Sequence, residues 1–225
     1  MSAPIVVVDY HKGNLLAVAR GLSEVGGEAE VTDDPARIAE AAGVVLPGVG
    51  AFEDAMAYLR QSGQDEAILS AIGRGVPFLG ICLGLQLLFE RGDERCDGAL
   101  HGSDDPERWV AGLGVLPGSV SRLRGRLKVP HVGWDQVHLT PHGRVCPLLR
   151  GVPEGANAYF THSYALDEDT DPSVIAGKTF YARAFASAIW KGNIFGVQFH
   201  PEKSSRVGLR MLENYIRIVE EGGVR

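Results

Sequence analysis

Short apolar or alternating runs follow one another with stretches of helical spacing over residues 1–90. The runs predict strands at residues 5–8, 28–31, 43–46 and 77–81. Helical spacing predicts helices at residues 15–25, 51–60, 65–74 and 83–90, and Asp34 followed by Pro35 marks the start of another. Strands that are apolar on both faces and alternate with helices indicate a parallel sheet covered on both sides.

The pattern changes at residue 91. Residues 91–112 have no periodicity and many charges, which predicts a polar surface loop of unusual length for a compact domain. Strand-like runs without a helix between them then predict mostly antiparallel or mixed sheet, at residues 115–123, 129–139, 158–166, 180–189 and 194–199. An amphipathic helix is predicted at 207–219. With neither a repeat nor a low-complexity linker, residues 1–225 are expected to form one α/β domain.

Composition excludes several classes of protein. The 225 residues include 22 Lys and Arg against 28 Asp and Glu, a formal net charge of −6, so no electrostatic attraction draws the chain to nucleic acid or anionic lipid. Three cysteines at wide spacing do not make a disulfide framework and fit a reducing compartment. Because no apolar stretch reaches the ~18 residues that a membrane span needs, a soluble, cytoplasmic protein is expected.

Two further groups of side chains favour surface or structural roles. Four cations alternate along the chain and predict one charged strand face, which is a solvated edge or a contact for phosphate or a partner: Arg122, Arg124, Arg126 and Lys128. Five histidines have no ligand spacing to one another, so no metal site is expected from them: His11, His131, His138, His142 and His162.

The segment Gly80-Ile81-Cys82-Leu83-Gly84 falls where a predicted buried strand meets a predicted helix. Flanking glycines allow a strained turn that exposes the middle side chain above the sheet edge, as in nucleophile elbows. The first turn of the predicted helix would favour the thiolate form of Cys82 and offer the Leu83 N–H as an oxyanion donor. The alternative is a cysteine that serves only packing, since free cysteines are commonly buried.

A histidine and a carboxylate follow the last predicted strand, as His200 and Glu202. If the strand continues into this segment, two residues of separation put both side chains on one side of the backbone. Glu202 can then hold Nδ1–H of His200 and leave Nε2 for a thiol. The alternative is a structural histidine beside a surface glutamate. Both His200 and Cys82 lie at carboxyl ends of apolar strands, where open α/β sheets place their sites.

A third glycine-rich turn, Pro47-Gly48-Val49-Gly50, also follows a predicted strand and precedes a helix. Its glycines allow peptide N–H groups to turn toward an anion or oxyanion. Taken alone it is equally typical of an ordinary strand-to-helix turn.

These segments together resemble the class I glutamine amidotransferases, and within them the family of glutaminase subunits of imidazole glycerol phosphate synthase. The matching blocks run in family order from Asp9 to Ser204: Pro-Gly-Val-Gly at 47–50, Gly-Ile-Cys-Leu-Gly-Leu-Gln at 80–86, Pro-His-Val-Gly-Trp at 130–134, Tyr-Phe-Thr-His-Ser-Tyr at 159–164 and Gly-Val-Gln-Phe-His-Pro-Glu-Lys-Ser at 196–204. The resemblance implies a single glutamine amidotransferase type 1 domain with an open mixed, largely parallel, flavodoxin-like sheet flanked by helices.

The resemblance also implies roles for individual residues. Cys82 would attack the glutamine carboxamide, His200 would act as base and acid, and Glu202 would orient His200. N–H groups of Val49 and Leu83 would form an oxyanion hole. Substrate contacts would come from four positions: Gly50, Gln86, Ser163 and Tyr164. No cofactor and no metal are implied.

The implied partner is a (βα)8-barrel cyclase subunit that receives ammonia from glutamine in histidine biosynthesis. The resemblance implies that the isolated chain is nearly silent until the liganded partner docks, with Lys203 and Ser204 as candidates for the docking face. The 91–112 segment is longer than is usual for the family, and it is either a partner contact or a solvated insertion.

Three alternatives remain open from the sequence. A regulatory module could keep the fold without the reaction, although all three residue types of the triad are present. A cysteine peptidase or redox enzyme could use the same elbow, against which stand Glu202 and the lack of a second cysteine near Cys82. Within the class, the chain could serve another synthase, such as the pyridoxal phosphate or anthranilate system.

Overall fold

A computed structural model describes residues 4–96 and 108–224. Its strands are β1 (Ile5–Val8), β2 (Ala29–Thr32), β3 (Gly43–Gly48), β4 (Phe78–Cys82), β5 (Phe89–Gly92), β6 (Val110–Ala111), β7 (Leu116–Arg122), β8 (His131–Leu139), β9 (Ala156–His162), β10 (Tyr164–Leu166), β11 (Ile175–Tyr181), β12 (Arg183–Lys191) and β13 (Ile194–Val197).

Its helices are α1 (Leu15–Glu24), α2 (Pro35–Ala39), α3 (Phe52–Ser62), α4 (Gln64–Gly73), α5 (Leu83–Gln86), α6 (Pro141–Arg144) and α7 (Ser205–Glu220). The start of α2 follows the prediction, because the side chain of Asp34 accepts the Ala36 N–H at 2.9 Å and Pro35 opens the helix. Among the described residues, no helix is both long and apolar enough to cross a membrane.

A nine-stranded mixed sheet is the centre of the fold, in the order β2-β1-β3-β4-β13-β12-β11-β8-β9. The strands from β2 to β13 pair in parallel, and those from β13 to β9 pair antiparallel. This confirms the α/β class and the change from parallel to antiparallel pairing that the sequence predicts.

Each face of this sheet has its own apolar core. Alternate residues of β1 divide between them: Ile5 and Val7 pack with the residues of α1 and α7, whereas Val6 and Val8 pack with those of α2, α3 and α4. Because both faces are covered, strands β1, β3 and β4 are buried along their whole length. The carboxyl ends of β3, β4 and β13 therefore meet at one sheet edge.

A second sheet, in the order β10-β7-β5-β6, is not predicted by the sequence. The expected helix at 83–90 ends at Gln86, and Phe89–Gly92 instead pairs in parallel with β7. Three consecutive buried residues, Leu87, Leu88 and Phe89, explain the difference, because an apolar run that short does not distinguish helix from strand.

Four other predicted segments differ from the structure. Residues 158–166 divide at Ser163 between β9 and β10, which lie in different sheets. Residues 180–189 span a β11–β12 hairpin that turns at Ala182, a non-glycine residue with φ of 60°. The cations at 122–128 do not share a strand face, because β7 ends at Arg122. Of the predicted 91–112 loop, the flanks form β5 and β6, and residues 97–107 lie outside the described residues.

Candidate active site

Cys82 ends β4 and begins the turn into α5 with φ 55° and ψ −109°, a strained backbone for a residue with a side chain. Its flanking glycines allow this turn by close packing. A Cβ on Gly80 would lie 2.6 Å from the carbonyl oxygen of Gly84, and one on Gly84 would overlap the carbonyl oxygen of Leu46. The strand–elbow–helix geometry thus places Cys82 as the sequence predicts.

The helix after Cys82 is much shorter than expected. Helix α5 has four residues, so the long helix dipole that the sequence suggested behind the thiol is absent from this part of the chain. Stabilisation of a thiolate must therefore come chiefly from side chains around Cys82.

His200 and Glu202 form a buried pair. Nδ1 of His200 lies 2.8 Å from Oε1 of Glu202, and the two side chains are 5% and 2% exposed. The pairing agrees with the prediction, but strand alternation is not its cause: β13 ends at Val197, and Glu202 lies in a 3-10 turn at Pro201–Lys203.

The pair leaves one imidazole nitrogen for chemistry. Burial by itself lowers the pKa of His200, but the neighbouring Cys82 and Glu202 outweigh that effect and raise it to about 10. Since Glu202 accepts Nδ1–H, the free nitrogen is Nε2, which is buried and makes no other hydrogen bond. The arrangement favours a proton on His200.

A cavity of about 310 Å³ opens in front of Cys82. It is lined by Val49, Gly50, Ala51, Cys82, Leu83, Gln86, Glu94, Pro130, Thr161, His162, Ser163 and Tyr164. The oxyanion and substrate positions expected from the resemblance therefore all meet around one space, at the sheet edge where β3 and β4 end.

Glu94 is a cavity residue that the sequence did not single out. Its carboxylate accepts the Phe52 N–H at 3.2 Å, and burial raises its pKa to about 7. It lies just after β5, within the aperiodic 91–112 segment, where nothing distinguished it from the other acidic residues. Glu94 gives the cavity wall a titratable negative group.

Two buried histidines hold one wall of the cavity. Burial lowers the pKa of His162 to about 3, so its ring is neutral near pH 7. Nδ1 of His162 donates to the carbonyl of Tyr164 at 2.8 Å, which leaves Nε2 to accept from Nδ1 of His131 at 3.1 Å. These bonds fix the backbone at Ser163 and Tyr164, where substrate contacts are expected.

Two buried amides form a series of hydrogen bonds that ends at the sulfur of Cys82. Nε2 of Gln86 donates to Oε1 of Gln198 at 3.0 Å, and Nε2 of Gln198 donates to Sγ of Cys82 at 3.5 Å. Gln198 was missed because a polar residue inside the apolar run 194–199 is simply an exception to the strand pattern. Its partners are distant in sequence.

The two residues expected at a docking face differ in exposure. Lys203 is exposed, with Nζ 5.9 Å from the centre of the Tyr159 ring. Ser204 is buried, which corrects its assignment to a docking surface. Its hydroxyl donates to the carbonyl of His200 at 2.6 Å and accepts the Tyr159 N–H at 3.0 Å. Ser204 therefore supports the backbone of His200.

Among residues 4–96 and 108–224, no group of three or more His, Cys, Asp and Glu side chains is arranged to hold a metal ion. All three cysteines are free; Cys82 and Cys146 are buried and Cys96 is exposed.

Comparison with known proteins now identifies the class. The family model of glutamine amidotransferase class-I matches residues 6–218. A crystal structure of glutamine amidotransferase superposes with a TM-score of 0.70 at 16% identity, covering 96% of this chain and 98% of that one. A glutamine amidotransferase from Thermotoga maritima gives a TM-score of 0.58 at 19% identity, covering 98% of this chain and 85% of that one. At such identities these structures support the fold alone.

Relatives of known sequence show which family within this class the chain resembles. The imidazole glycerol phosphate synthase subunit HisH of Moorella thermoacetica is 50% identical over 220 residues, covering 98% of this chain and 97% of its own length. HisH of Symbiobacterium thermophilum is 48% identical over 217 residues, covering 96% and 95%. The chain belongs to the class I glutamine amidotransferases and, within them, to the HisH family.

Proposed function

We propose that this protein is the glutaminase subunit of an imidazole glycerol phosphate synthase, with residues 1–225 acting as one amidotransferase domain. It would hydrolyse glutamine to glutamate and pass ammonia to a cyclase subunit that makes imidazole glycerol phosphate and AICAR in histidine biosynthesis. The 2.8 Å pair of His200 and Glu202, next to the cavity residue Cys82, carries the proposal. The names of the HisH relatives support the assignment to this synthase.

The reaction follows from the three side chains. The proton of Cys82 passes to Nε2 of His200, and the sulfur attacks the carboxamide carbon. His200 returns that proton to the leaving nitrogen, which departs as ammonia and leaves a glutamyl thioester. A water that gives a proton to His200 then hydrolyses the thioester and restores the thiol. Glu202 keeps Nδ1 protonated and stabilises the imidazolium throughout.

The tetrahedral oxyanion needs donors beside Cys82. The Leu83 N–H begins α5 directly after the nucleophile, and Val49 lies just beyond β3, which pairs with β4 at Gly48 and Cys82. Both residues line the cavity. We assign their N–H groups to the oxyanion hole, in which each donor contributes ~10²–10³ in rate.

The cavity wall also offers groups for the amino-acid end of glutamine. Glu94 supplies a carboxylate for the ammonium group. Backbone groups near Gly50, Ser163 and Tyr164 can bind the substrate carboxylate. Both hydrogens of the Gln86 amide are already donated, to Tyr164 and Gln198, so Gln86 can offer its oxygen to a substrate N–H.

An exposed patch next to the cavity supports docking of a cyclase partner, of (βα)8-barrel fold by the family resemblance. We define this docking patch as Val132, Trp134, Tyr159 and Lys203. Val132 and Trp134 are 57% and 55% exposed, and the Trp134 and Tyr159 rings meet edge to face at 6.0 Å. Val132 pairs with the cavity residue Thr161, so the patch continues into the cavity mouth. A partner seated there would cover the site and receive ammonia.

Replacement of the nucleophile tests this function. With the cyclase partner and its ribonucleotide substrate present, Cys82→Ala should abolish glutamine-dependent product formation, while added ammonia still supports the cyclase. Glutamate release and cyclase product are the two readouts, and Cys146→Ala is the control, because Cys146 is a buried cysteine outside the cavity lining. Substantial glutamine turnover by Cys82→Ala would refute the proposal.

A further inference from the structure

Two buried glutamines form a hydrogen-bonded series that ends at the nucleophile. Nε2 of Gln86 donates to the carbonyl of Tyr164 at 2.9 Å and to Oε1 of Gln198 at 3.0 Å. Nε2 of Gln198 donates to Sγ of Cys82 at 3.5 Å. Gln86 and Gln198 are 3% and 0% exposed, so both amides are shielded from bulk solvent.

The orientation of Gln198 follows from the chemistry of its neighbours. A main-chain carbonyl only accepts, so Gln86 must turn its nitrogen toward Tyr164. The same nitrogen contacts Gln198, which must answer with its oxygen. The remaining group of Gln198, its NH₂, is therefore directed at Cys82. These hydrogen bonds therefore hold Gln198 so that its NH₂ group, a donor, faces the sulfur, and its oxygen, an acceptor, does not.

We propose that Gln198 is a further catalytic residue, whose amide N–H holds the sulfur of Cys82 and stabilises its thiolate form. The inference rests on the glutaminase function proposed above. Gln198 transfers no proton: the thiol proton passes to Nε2 of His200, and the N–H of Gln198 remains a donor to sulfur before and after. A hydrogen bond to the charged form of an acid favours that form, and it strengthens when the acceptor is ionised.

The surroundings make this contribution important. Helix α5 has only four residues, so the turn after Cys82 offers little dipole. His200 also acts on the sulfur, but as the group that receives its proton. The Gln198 amide, by contrast, is a neutral group that donates a hydrogen bond to the thiolate. Gln198 is not among the residues lining the cavity in the described chain, so its effect should fall on the nucleophile and not on substrate affinity.

Alkylation of Cys82 measures this effect without substrate. The rate of reaction with iodoacetamide, followed at the Cys82 peptide by mass spectrometry between about pH 5 and pH 10, reports the thiolate fraction. In Gln198→Met, the midpoint of this profile should move up by about one pH unit or more, because one donor to the thiolate is lost. In the complex with its partner, kcat should fall about 10-fold or more while KM for glutamine stays within about twofold.

Gln64→Met is the matched control. Gln64 is also 0% exposed, and its amide donates to the main-chain oxygens of Asp9 and Asp33, which follow β1 and β2, two and three strands away from β4. Its alkylation profile should match that of the wild type even if its stability falls. A wild-type profile in folded Gln198→Met, or the same shift in Gln64→Met, overturns the proposal.

A measurement on the unmodified protein covers the case in which Gln198→Met does not fold. The side-chain amide NMR signals of Gln198 should titrate with the same midpoint as Cys82 alkylation, and signals that stay constant across that midpoint overturn the proposal. Failure of the wild-type complex to hydrolyse glutamine would count against the proposed function. The alkylation profiles would still decide the role of Gln198.

Discussion

Burial alone disfavours a charge on His200, yet the reaction needs an imidazolium that can give its proton to the leaving nitrogen. The structure resolves this opposition by pairing. Glu202 accepts from one nitrogen of His200, and together with Cys82 it raises the pKa of the imidazole to about 10. His200 can therefore hold the proton that it takes from Cys82 and must give to the departing ammonia.

The raised pKa of Glu94 leads to a prediction about how activity depends on pH. Its pKa is raised to about 7 by burial, so the carboxyl is neutral below that pH and negative above it, whereas the ammonium of glutamine is still positive near pH 7. We therefore expect kcat/KM, which reports the free enzyme, to rise through about pH 7. Glu94→Gln should lose this rise in a pH profile of the partner complex.

Glu90→Gln is the control for Glu94, because Glu90 accepts the Gly118 N–H at 3.1 Å and does not line the cavity. Its profile should keep the rise near pH 7. An unchanged rise in Glu94→Gln would show that another group titrates there and that Glu94 does not bind the ammonium.

The sequence predicts the triad residues better than their neighbours, for a physical reason. Cys82 is marked by glycines that its strained turn requires, and His200 and Glu202 are close in sequence. Gln198 acts through partners 112 and 116 residues away, which no local spacing reveals. Glu94 lies in a segment without periodicity, so only the packing of β5 places it against the cavity.

Among the secondary-structure elements, the turn after β3 decides the position of the Val49 N–H. Gly48 packs so tightly that a Cβ there would overlap the hydroxyl of Tyr10, whereas a Cβ on Gly50, which has φ of 97°, would make only an ordinary contact with Cδ of Lys12 at 3.8 Å. The two glycines therefore serve different needs, close packing at Gly48 and backbone conformation at Gly50.

Gly50→Ala should reduce glutaminase activity about 10²-fold, because a side chain disfavours this φ and a change at Gly50 disturbs the turn that holds the Val49 donor. Gly63→Ala is the matched control: Gly63 also has positive φ, 74°, and open space, but it ends α3. Both variants should lose about 1 kcal/mol of unfolding free energy, measured by chemical denaturation. Equal activity in the two would contradict a role for this turn in catalysis.

Secondary structure could be predicted where the chain is locally consistent, as in β1, the start of α2 and helix α7. Secondary structure could not be predicted where a tertiary contact overrides the local pattern. The β11–β12 hairpin turns at Ala182 without the glycine that normally signals such a turn. Residues 83–90 have a helical apolar stripe, but β7 pairs with their second half.

For the whole molecule, the partner proposed to dock on this patch beside the cavity mouth leads us to expect that catalysis depends on a second chain. The lone subunit should hydrolyse glutamine very slowly, and the liganded partner should raise the rate about 10²-fold, the contribution of one oxyanion donor. Glutamate release is compared for the chain alone, with empty partner and with liganded partner. Equal rates in all three would contradict control of activity by the partner, and only the part of the account that concerns the triad would stand.

Trp134→Ala should weaken this activation, because the exposed indole belongs to the docking patch, which reaches the cavity through the pairing of Val132 with Thr161. Val145→Ala is its control, since Val145 is 70% exposed but follows α6 at the other end of β8. Comparable losses in both variants would place the partner elsewhere on the surface.

The central claim is that Cys82 is the sole nucleophile toward glutamine, and covalent capture tests it most directly. The partner complex is treated with an electrophilic glutamine analogue, digested and analysed by mass spectrometry. We predict that one label per chain appears on Cys82, that glutamine competes with labelling, and that Cys96 and Cys146 remain unmodified. Label on Cys96 or Cys146, or none on Cys82 while the complex turns over glutamine, would contradict the account.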